Sequence, residues 1–132
     1  MKPVAITSPD IPKPAGPYSP ALRFGDWVLL AGQGGADPVT GTLGETIEEQ
    51  TTQTLRNIAT LLEAAGCTLD DVVSSLVHLS DLSLFSRFNE VYGPHFSDPK
   101  PVRTTVGAAL LHGMLVEITV TARRPAGSSL PR

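Results

Sequence analysis

The sequence predicts a single α+β domain, with two helices packed on one face of a β-sheet. The chain has 132 residues, a length that fits one domain. Two segments repeat apolar residues at helical spacing, and the other apolar runs are short and bounded by turn residues. Read along the chain, the elements follow the order strand, strand, helix, strand, helix, strand, strand, which is typical of the α+β class.

Composition and charge narrow the classes of partner. Hydrophobic residues make up 41% of the chain and charged residues 17%, which excludes disordered and fibrous proteins. The formal net charge of -3 is the wrong sign for attraction to a phosphate backbone, so we expect no nucleic-acid partner. The first residues lack the apolar core of a signal peptide, and no run approaches the ~20 apolar residues of a membrane span. We therefore expect a cytoplasmic protein with no membrane partner.

The N-terminal elements begin after a proline-rich segment. Residues 7–20 contain five prolines, which exclude a helix or a central strand and indicate a constrained loop. The apolar runs that follow predict strands near residues 20–24 and 27–32, joined by a turn at Gly25 and Asp26. The glycine-rich stretch GQGGADPVTGTLGE lacks the Lys-Ser/Thr of a phosphate-binding loop and the G-x-G-x-x-G motif of dinucleotide-binding proteins. It is interpreted as a loop.

The first helix is predicted over residues 46–65. Thr46 is the expected N-cap, acidic residues fill the first turn, and Gly66 ends the helix. Its apolar stripe consists of Ile47, Leu55, Ile58, Leu61, Leu62 and Ala65.

The C-terminal half continues with a buried strand over residues 71–79 and a second amphipathic helix over residues 84–96. Strands at 102–109 and 114–122 are predicted to form an antiparallel hairpin, and residues 125–132 a loose tail. With both helices on one face, the other sheet face would expose a large apolar patch. We therefore expect copies of the chain to associate through it.

The cysteine and histidines do not predict a metal site. Cys67 is the single cysteine, follows the first helix, and is interpreted as a buried structural thiol. His78, His95 and His112 fall in three different elements, without the spacing of metal ligands.

Arg103 and Glu117 interrupt apolar strands with charges of opposite sign. Small residues flank the arginine, and the glutamate shares its strand face with Thr119 and Thr121. A cross-strand ion pair, or two solvated positions, would explain both charges and contribute on the order of 0–1 kcal/mol. Alternatively, a guanidinium fixed by a strand binds a carboxylate through two hydrogen bonds, and the glutamate holds a water. The choice depends on whether the two residues share a face.

Seven motifs, taken in order, resemble the RidA, or YjgF-like, reactive intermediate deaminase family. They are AGPYSPA (15–21), AGQGGADPVTG (31–41), LEAAGC (62–67), VVSSLVHLSDL (72–82), FNEVY (88–92), PVRTTVG (101–107) and VEITVTA (116–122). The resemblance implies a chorismate-mutase-like α+β fold of the bacillus type, assembled as a homotrimer with an active site in each cleft between subunits. It also implies hydrolysis of 2-imino acids and their enamine tautomers, such as 2-aminoacrylate, to 2-keto acids and ammonia, without a cofactor or metal.

The resemblance assigns roles to individual residues. The family's carboxylate-binding arginine falls on Arg103. Its last-strand glutamate, which orients or activates water, falls on Glu117 if the connecting loop is one residue shorter than in typical members. The matching substrate-binding positions are Tyr18, Gly32, Gln33, Asn89 and Thr105. Tyr18 would line the pocket, the backbone at Gly32 and Gln33 would approach the ligand closely, and Asn89 would form supporting hydrogen bonds. Without the resemblance, Tyr18 would be a packed loop aromatic, Gly32 and Gln33 a structural turn, and Asn89 an exposed helix residue.

Two positions depart from the family pattern. Thr105 stands where many members have a cysteine, and Ala31 where many have a serine. Imine hydrolysis should survive the first change, because water is the nucleophile.

Other functions stay open at this point. The same arginine would serve a non-catalytic module that binds 2-keto acids. Some relatives are described as ribonucleases or translation inhibitors, although the acidic balance of this chain opposes that activity. A further alternative is deamination of a carbamate or an aminoacrylate in one specific pathway.

Overall fold

The computed structural model describes residues 2–125, which form one mixed six-stranded sheet with two helices on one face. The strands are β1 (Val4–Ile6), β2 (Ala21–Phe24), β3 (Trp27–Leu30), β4 (Val72–Leu79), β5 (Val102–Gly107) and β6 (Val116–Arg123). Their order across the sheet is β1-β2-β3-β6-β4-β5. Neighbouring strands are antiparallel except β4 and β5, which run parallel. The predicted fold class is confirmed.

The first helix, α1 (Ile47–Ala64), begins and ends where its capping residues predict. The Thr46 hydroxyl accepts a hydrogen bond from the Glu49 amide at 3.1 Å. At the other end Gly66 adopts a φ of 84°, and the Gly66 and Cys67 amides donate to carbonyls of the last turn at 3.0 and 2.8 Å. This is the hydrogen-bond pattern in which a glycine closes a helix.

The core lies between α1 and the central strands. The apolar stripe of α1 and the inward residues of β6 and β4 are fully buried, among them Leu55, Ile58, Leu61, Val77, Ile118 and Val120. The second helix, α2 (Phe85–Tyr92), is shorter than predicted, because the chain tightens into a 3₁₀ turn at Gly93–His95. Of the helices formed by residues 2–125, none combines the length and apolar character needed to cross a lipid bilayer.

The predicted hairpin of the last two strands is wrong, because β4 lies between β5 and β6 and pairs with both. The connection from β5 to β6 crosses the end of β4. It is hydrogen-bonded there on both sides, from the Ala108 amide to the Leu79 carbonyl and from the Ser80 amide to the Leu115 carbonyl, each at 3.0 Å. An eight-residue connection, residues 108–115, is long enough for this crossing and longer than a tight hairpin turn requires. The sequence analysis also missed β1. The loose tail was predicted over residues 125–132, and of these 126–132 lie outside the described residues.

The second face of the sheet, which we call the open face, carries no helix. Strand alternation places apolar side chains on it, and these are exposed in the single chain: Phe24, Trp27, Leu29, Leu76, Val102 and Val106. The apolar surface expected from the sequence is therefore present. Self-association through it stays a prediction.

Candidate active site

Arg103 lies on the helix-covered face of β5, an edge strand of the sheet. It pairs in register with Ser75 of β4, a buried residue. Its Nη2 donates a hydrogen bond of 2.8 Å to the Oδ1 of Asn89 on α2. Asn89 is therefore a hydrogen-bond acceptor for Arg103, and its role in a site stays a prediction. Thr105 lies on the same face, two residues further along the strand.

Three aromatic rings of α2 surround the Arg103 guanidinium. Its central carbon lies 4.9 Å from the ring centroid of Tyr92, 5.4 Å from that of Phe88 and 5.6 Å from that of Phe85. These are distances at which an aromatic ring attracts a cation. Burial raises the pKa of Tyr92, and the nearby Ser75 hydroxyl and the charge of Arg103 oppose that shift only in part. The guanidinium is thus fixed in place by one hydrogen bond and three rings.

The aromatic surroundings of Arg103 were not predicted as part of a site. The sequence analysis assigned Phe85, Phe88 and Tyr92 to a helix that packs on the core, and two of the three are buried there. The signal for their second role is the spacing i, i+3, i+7, which places all three on one face of α2.

Glu117 lies on the open face, at the second residue of β6, in register with His78 of β4. Its side chain leans over Gly32, which follows β3. A Cβ at position 32 would lie only 2.8 Å from the Glu117 Cδ, so a larger residue there would displace the carboxylate. The closeness of the carboxylate therefore explains glycine at this position.

A cleft of about 180 Å³ brings Glu117 together with three other predicted residues, Tyr18, Gly32 and Gln33. The backbone of Gln33 exchanges two hydrogen bonds of 2.9 Å with Ile118, which fixes this loop beside Glu117. Tyr18 belongs to the proline-rich loop, where its hydroxyl accepts a hydrogen bond from the Ala15 amide at 3.1 Å. Tyr18 is 51% exposed and lines the cleft.

His112 is a cleft residue that the sequence analysis did not identify. It lies at the rim with a φ of 56°, in the left-handed region that few residues other than glycine adopt. It belongs to the connection between β5 and β6, whose length gave no signal for a site.

The two groups of predicted residues lie on opposite sides of the sheet. Arg103 is opposite Ser75 and Glu117 is opposite His78, and positions 75 and 78 of one strand point to opposite faces. A cross-strand ion pair between the two charges is therefore excluded. One chain holds a fixed guanidinium on the helix side and a carboxylate cleft on the open side, and it does not bring them together.

Comparisons with known proteins agree with this arrangement of motifs. A family model described as Endoribonuclease L-PSP matches residues 8–124. A RutC family protein of Saccharolobus solfataricus is 47% identical over 94% of this chain and 99% of its own. The 2-iminobutanoate/2-iminopropanoate deaminase of Mus musculus is 38% identical, over 89% of this chain and 88% of its own.

A solved structure shows the same fold. RidA from the Antarctic bacterium Psychrobacter sp. PAMC 21119 superposes with a TM-score of 0.88 at 40% identity, and covers 91% of this chain and 98% of its own. The match of the family model over most of the chain, together with these relatives, assigns the family. The chain belongs to the RidA/YjgF-like family, whose sequence model bears the name Endoribonuclease L-PSP.

Proposed function

We propose that this protein hydrolyses 2-imino acids and their enamine tautomers to 2-keto acids and ammonia. The observation that carries the proposal is the environment of Arg103. Its hydrogen bond to Asn89 uses one of five N–H donors, and the rings of Phe88 and Tyr92 fix the group. A guanidinium with free donors and a fixed position binds a planar carboxylate through two parallel hydrogen bonds.

The complete site requires a neighbouring copy of the chain. Arg103 and Glu117 lie on opposite faces of one sheet, so a substrate bound by the first does not reach the second within one chain. Packing of copies through the open face would bury its apolar residues. Because β5 is an edge strand, Arg103 lies at the border of the sheet, where Glu117 of a neighbouring copy would approach it. The proposed assembly is a homotrimer with three such clefts.

The chemistry needs a positioned water more than a strong nucleophile, since a protonated imine is already electrophilic. Arg103 binds the substrate carboxylate. Glu117 accepts a proton from the attacking water while the oxygen forms a bond to the imine carbon. Glu117 then returns this proton to the nitrogen of the resulting carbinolamine. The C–N bond breaks as the hydroxyl oxygen forms the C=O bond, and the hydroxyl proton passes to Glu117 or to water. This releases ammonia and leaves the 2-keto acid, without a covalent enzyme intermediate.

Replacing Arg103 tests the proposal. We expect Arg103→Ala to lower kcat/KM roughly ten- to a hundredfold, because a hydrogen-bonded charge contributes about 1.5–3 kcal/mol and each 1.4 kcal/mol is a factor of ten. The measurement is a coupled assay in which an amino-acid oxidase generates the imino acid. Arg87→Ala is the matched control, since Arg87 is exposed on the same helix side and pairs with Glu48 at 2.6 Å. Equal rates for Arg103→Ala and the parent would exclude the mechanism.

A second candidate function is binding of 2-keto acids without turnover. It is supported by the Arg103 cluster, which is complete within one chain and does not need Glu117. The parent protein distinguishes the two functions. Binding of a 2-keto acid by calorimetry, with no acceleration of imine hydrolysis over buffer, would favour the binding module.

The ribonuclease activity in the name of the family model has less support in this chain. The net charge is -3, and the cleft contains the Glu117 carboxylate as well as Lys13, so it is not a cluster of cations of the kind that binds phosphates. Binding of RNA that weakens steeply as salt rises would restore this candidate.

A further inference from the structure

Two carboxamide side chains of α1 are buried along one edge of its apolar stripe. Gln50 is 3% exposed and Asn57 is 2% exposed. They are seven residues apart, which places them on the same side of the helix. Burying an amide costs free energy unless its hydrogen bonds are satisfied, so a stripe made only for packing would hold apolar residues at both positions.

Asn57 binds the loop of residues 32–36, which we call the glycine loop. Its Nδ2 donates to the carbonyls of Gly34 and Ala36, at 3.0 and 2.9 Å, and its Oδ1 accepts from Gln53 at 2.9 Å. Gly34 and Ala36 both line the cleft that contains Glu117. The side chain thus ties two carbonyls of the cleft wall to the rigid helix.

Gln50 binds the segment that leads into the Glu117 strand. Its Oε1 accepts a hydrogen bond from the Leu115 amide at 2.8 Å, and its Nε2 donates to the Gly44 carbonyl at 2.8 Å. Leu115 is two residues before Glu117. A Cβ on Gly35 would lie 2.5 Å from the Gln50 carbonyl oxygen, so the loop packs directly on the same turn of α1.

We propose that Asn57 and Gln50 are positioning residues for catalysis. Through their hydrogen bonds, Asn57 fixes the glycine loop and Gln50 fixes the segment before Glu117, so together they set the distance between that loop and Glu117. The inference rests on the proposed function, because it assigns a purpose to the spacing of that cleft. The loop and the carboxylate are already in close contact, since a Cβ on Gly32 would lie only 2.8 Å from the Glu117 carboxyl carbon. A shift of the loop by a few tenths of an ångström would move the proposed water site.

The test compares Asn57→Leu with Thr54→Val. Thr54 is fully buried on the same helix, and its hydroxyl donates to the Gln50 carbonyl at 2.7 Å, within the helix itself. Both changes remove buried hydrogen bonds, so both should lower thermal stability. Only Asn57→Leu should lower kcat, by tenfold or more, with KM changed less than threefold, because Arg103 binds the carboxylate elsewhere.

Hydrogen exchange gives a readout that does not depend on activity. The amides of Gln33 and Ile118 donate to each other's carbonyls across the cleft wall. In folded Asn57→Leu they should exchange at least tenfold faster than in the parent, and in Thr54→Val they should not. An inactive parent would reject the proposed function, while the exchange rates would still decide the positioning role.

If Asn57→Leu fails to fold, Gln50→Met takes its place. Methionine keeps the length and most of the volume of glutamine but cannot accept the hydrogen bond of the Leu115 amide in the same way. A folded variant with parental kcat and parental exchange at Ile118 would overturn the inference. So would a loss of kcat in Thr54→Val equal to that in the two amide variants.

Discussion

At the scale of single residues, the orientation of Arg103 depends on one hydrogen bond and three rings. We expect Asn89→Ala to raise KM for the imino acid several-fold, because the guanidinium loses the bond of 2.8 Å that fixes one edge. The effect on kcat should be smaller, since Glu117, the carboxylate that we propose activates water, is not changed. Steady-state kinetics check the split, and Glu90→Ala, an exposed neighbour on α2, is the control. A parental KM would show that the rings alone are sufficient.

The thiol of Cys67 gives a prediction about reactivity. Cys67 is 3% exposed, and burial, with the charge of Asp71 in support, raises its pKa to about 11. The reactive thiolate is thus scarcer at pH 8 than for an ordinary thiol with a pKa of about 8.5, by roughly two orders of magnitude. We expect the thiol reagent dithiobis(nitrobenzoate) to label Cys67 in the native protein far more slowly than in the unfolded protein. The native rate should rise with pH up to about 11. Equal native and unfolded rates would contradict burial.

Much of the candidate site follows from the sequence at this scale, because a charge within an apolar strand is conspicuous. Arg103 and Glu117 lie in predicted strands, although on opposite faces of the sheet, and their roles stay predictions. The aromatic rings around the arginine were missed for a physical reason. A ring that packs on the core and also touches a cation has the same periodicity as one that only packs.

At the scale of elements, the N-cap of α1 is a local feature whose contribution can be measured. We expect Thr46→Ala to lower the free energy of unfolding by about 1 kcal/mol, since the Glu49 amide loses its acceptor. Urea denaturation measures the change. Thr52→Ala is the matched control within the helix and should be neutral or slightly stabilising, because alanine is the better helix former. Equal destabilisation by both variants would show that the cap contributes nothing specific.

The pairing of β5 with β4 could not be predicted from the sequence. Two apolar strands joined by a short connection favour a hairpin, and local patterns carry no information about a third strand that separates them. The position of β4 between β5 and β6 agrees with its burial, because Ser75, Val77 and Leu79 are all buried. Whether Arg103 and Glu117 share a face was therefore decided by long-range topology. The topology placed them on opposite faces.

At the scale of the whole molecule, the open face and the divided site have a common explanation. An uncovered sheet with Phe24, Trp27 and Leu29 exposed has a strong tendency to associate. In the proposed mechanism, Arg103 binds the substrate on one side of the sheet and Glu117 acts on the other, so the reaction needs a second chain. Association through the open face would meet both requirements at once, so assembly and activity should be lost together.

This link is tested by Leu76→Glu, which places a charge in the middle of the open face. Leu76 is 37% exposed in the single chain and pairs with Thr104 and Thr119, so the fold should tolerate the change. A charge buried without a partner between copies is costly, and we expect the variant to sediment as a smaller species than the parent and to lose imine hydrolysis. Val39→Glu is the control, because Val39 is 92% exposed in a loop away from the sheet. A variant that keeps the parental sedimentation coefficient and rate would show that neither assembly nor activity depends on this face.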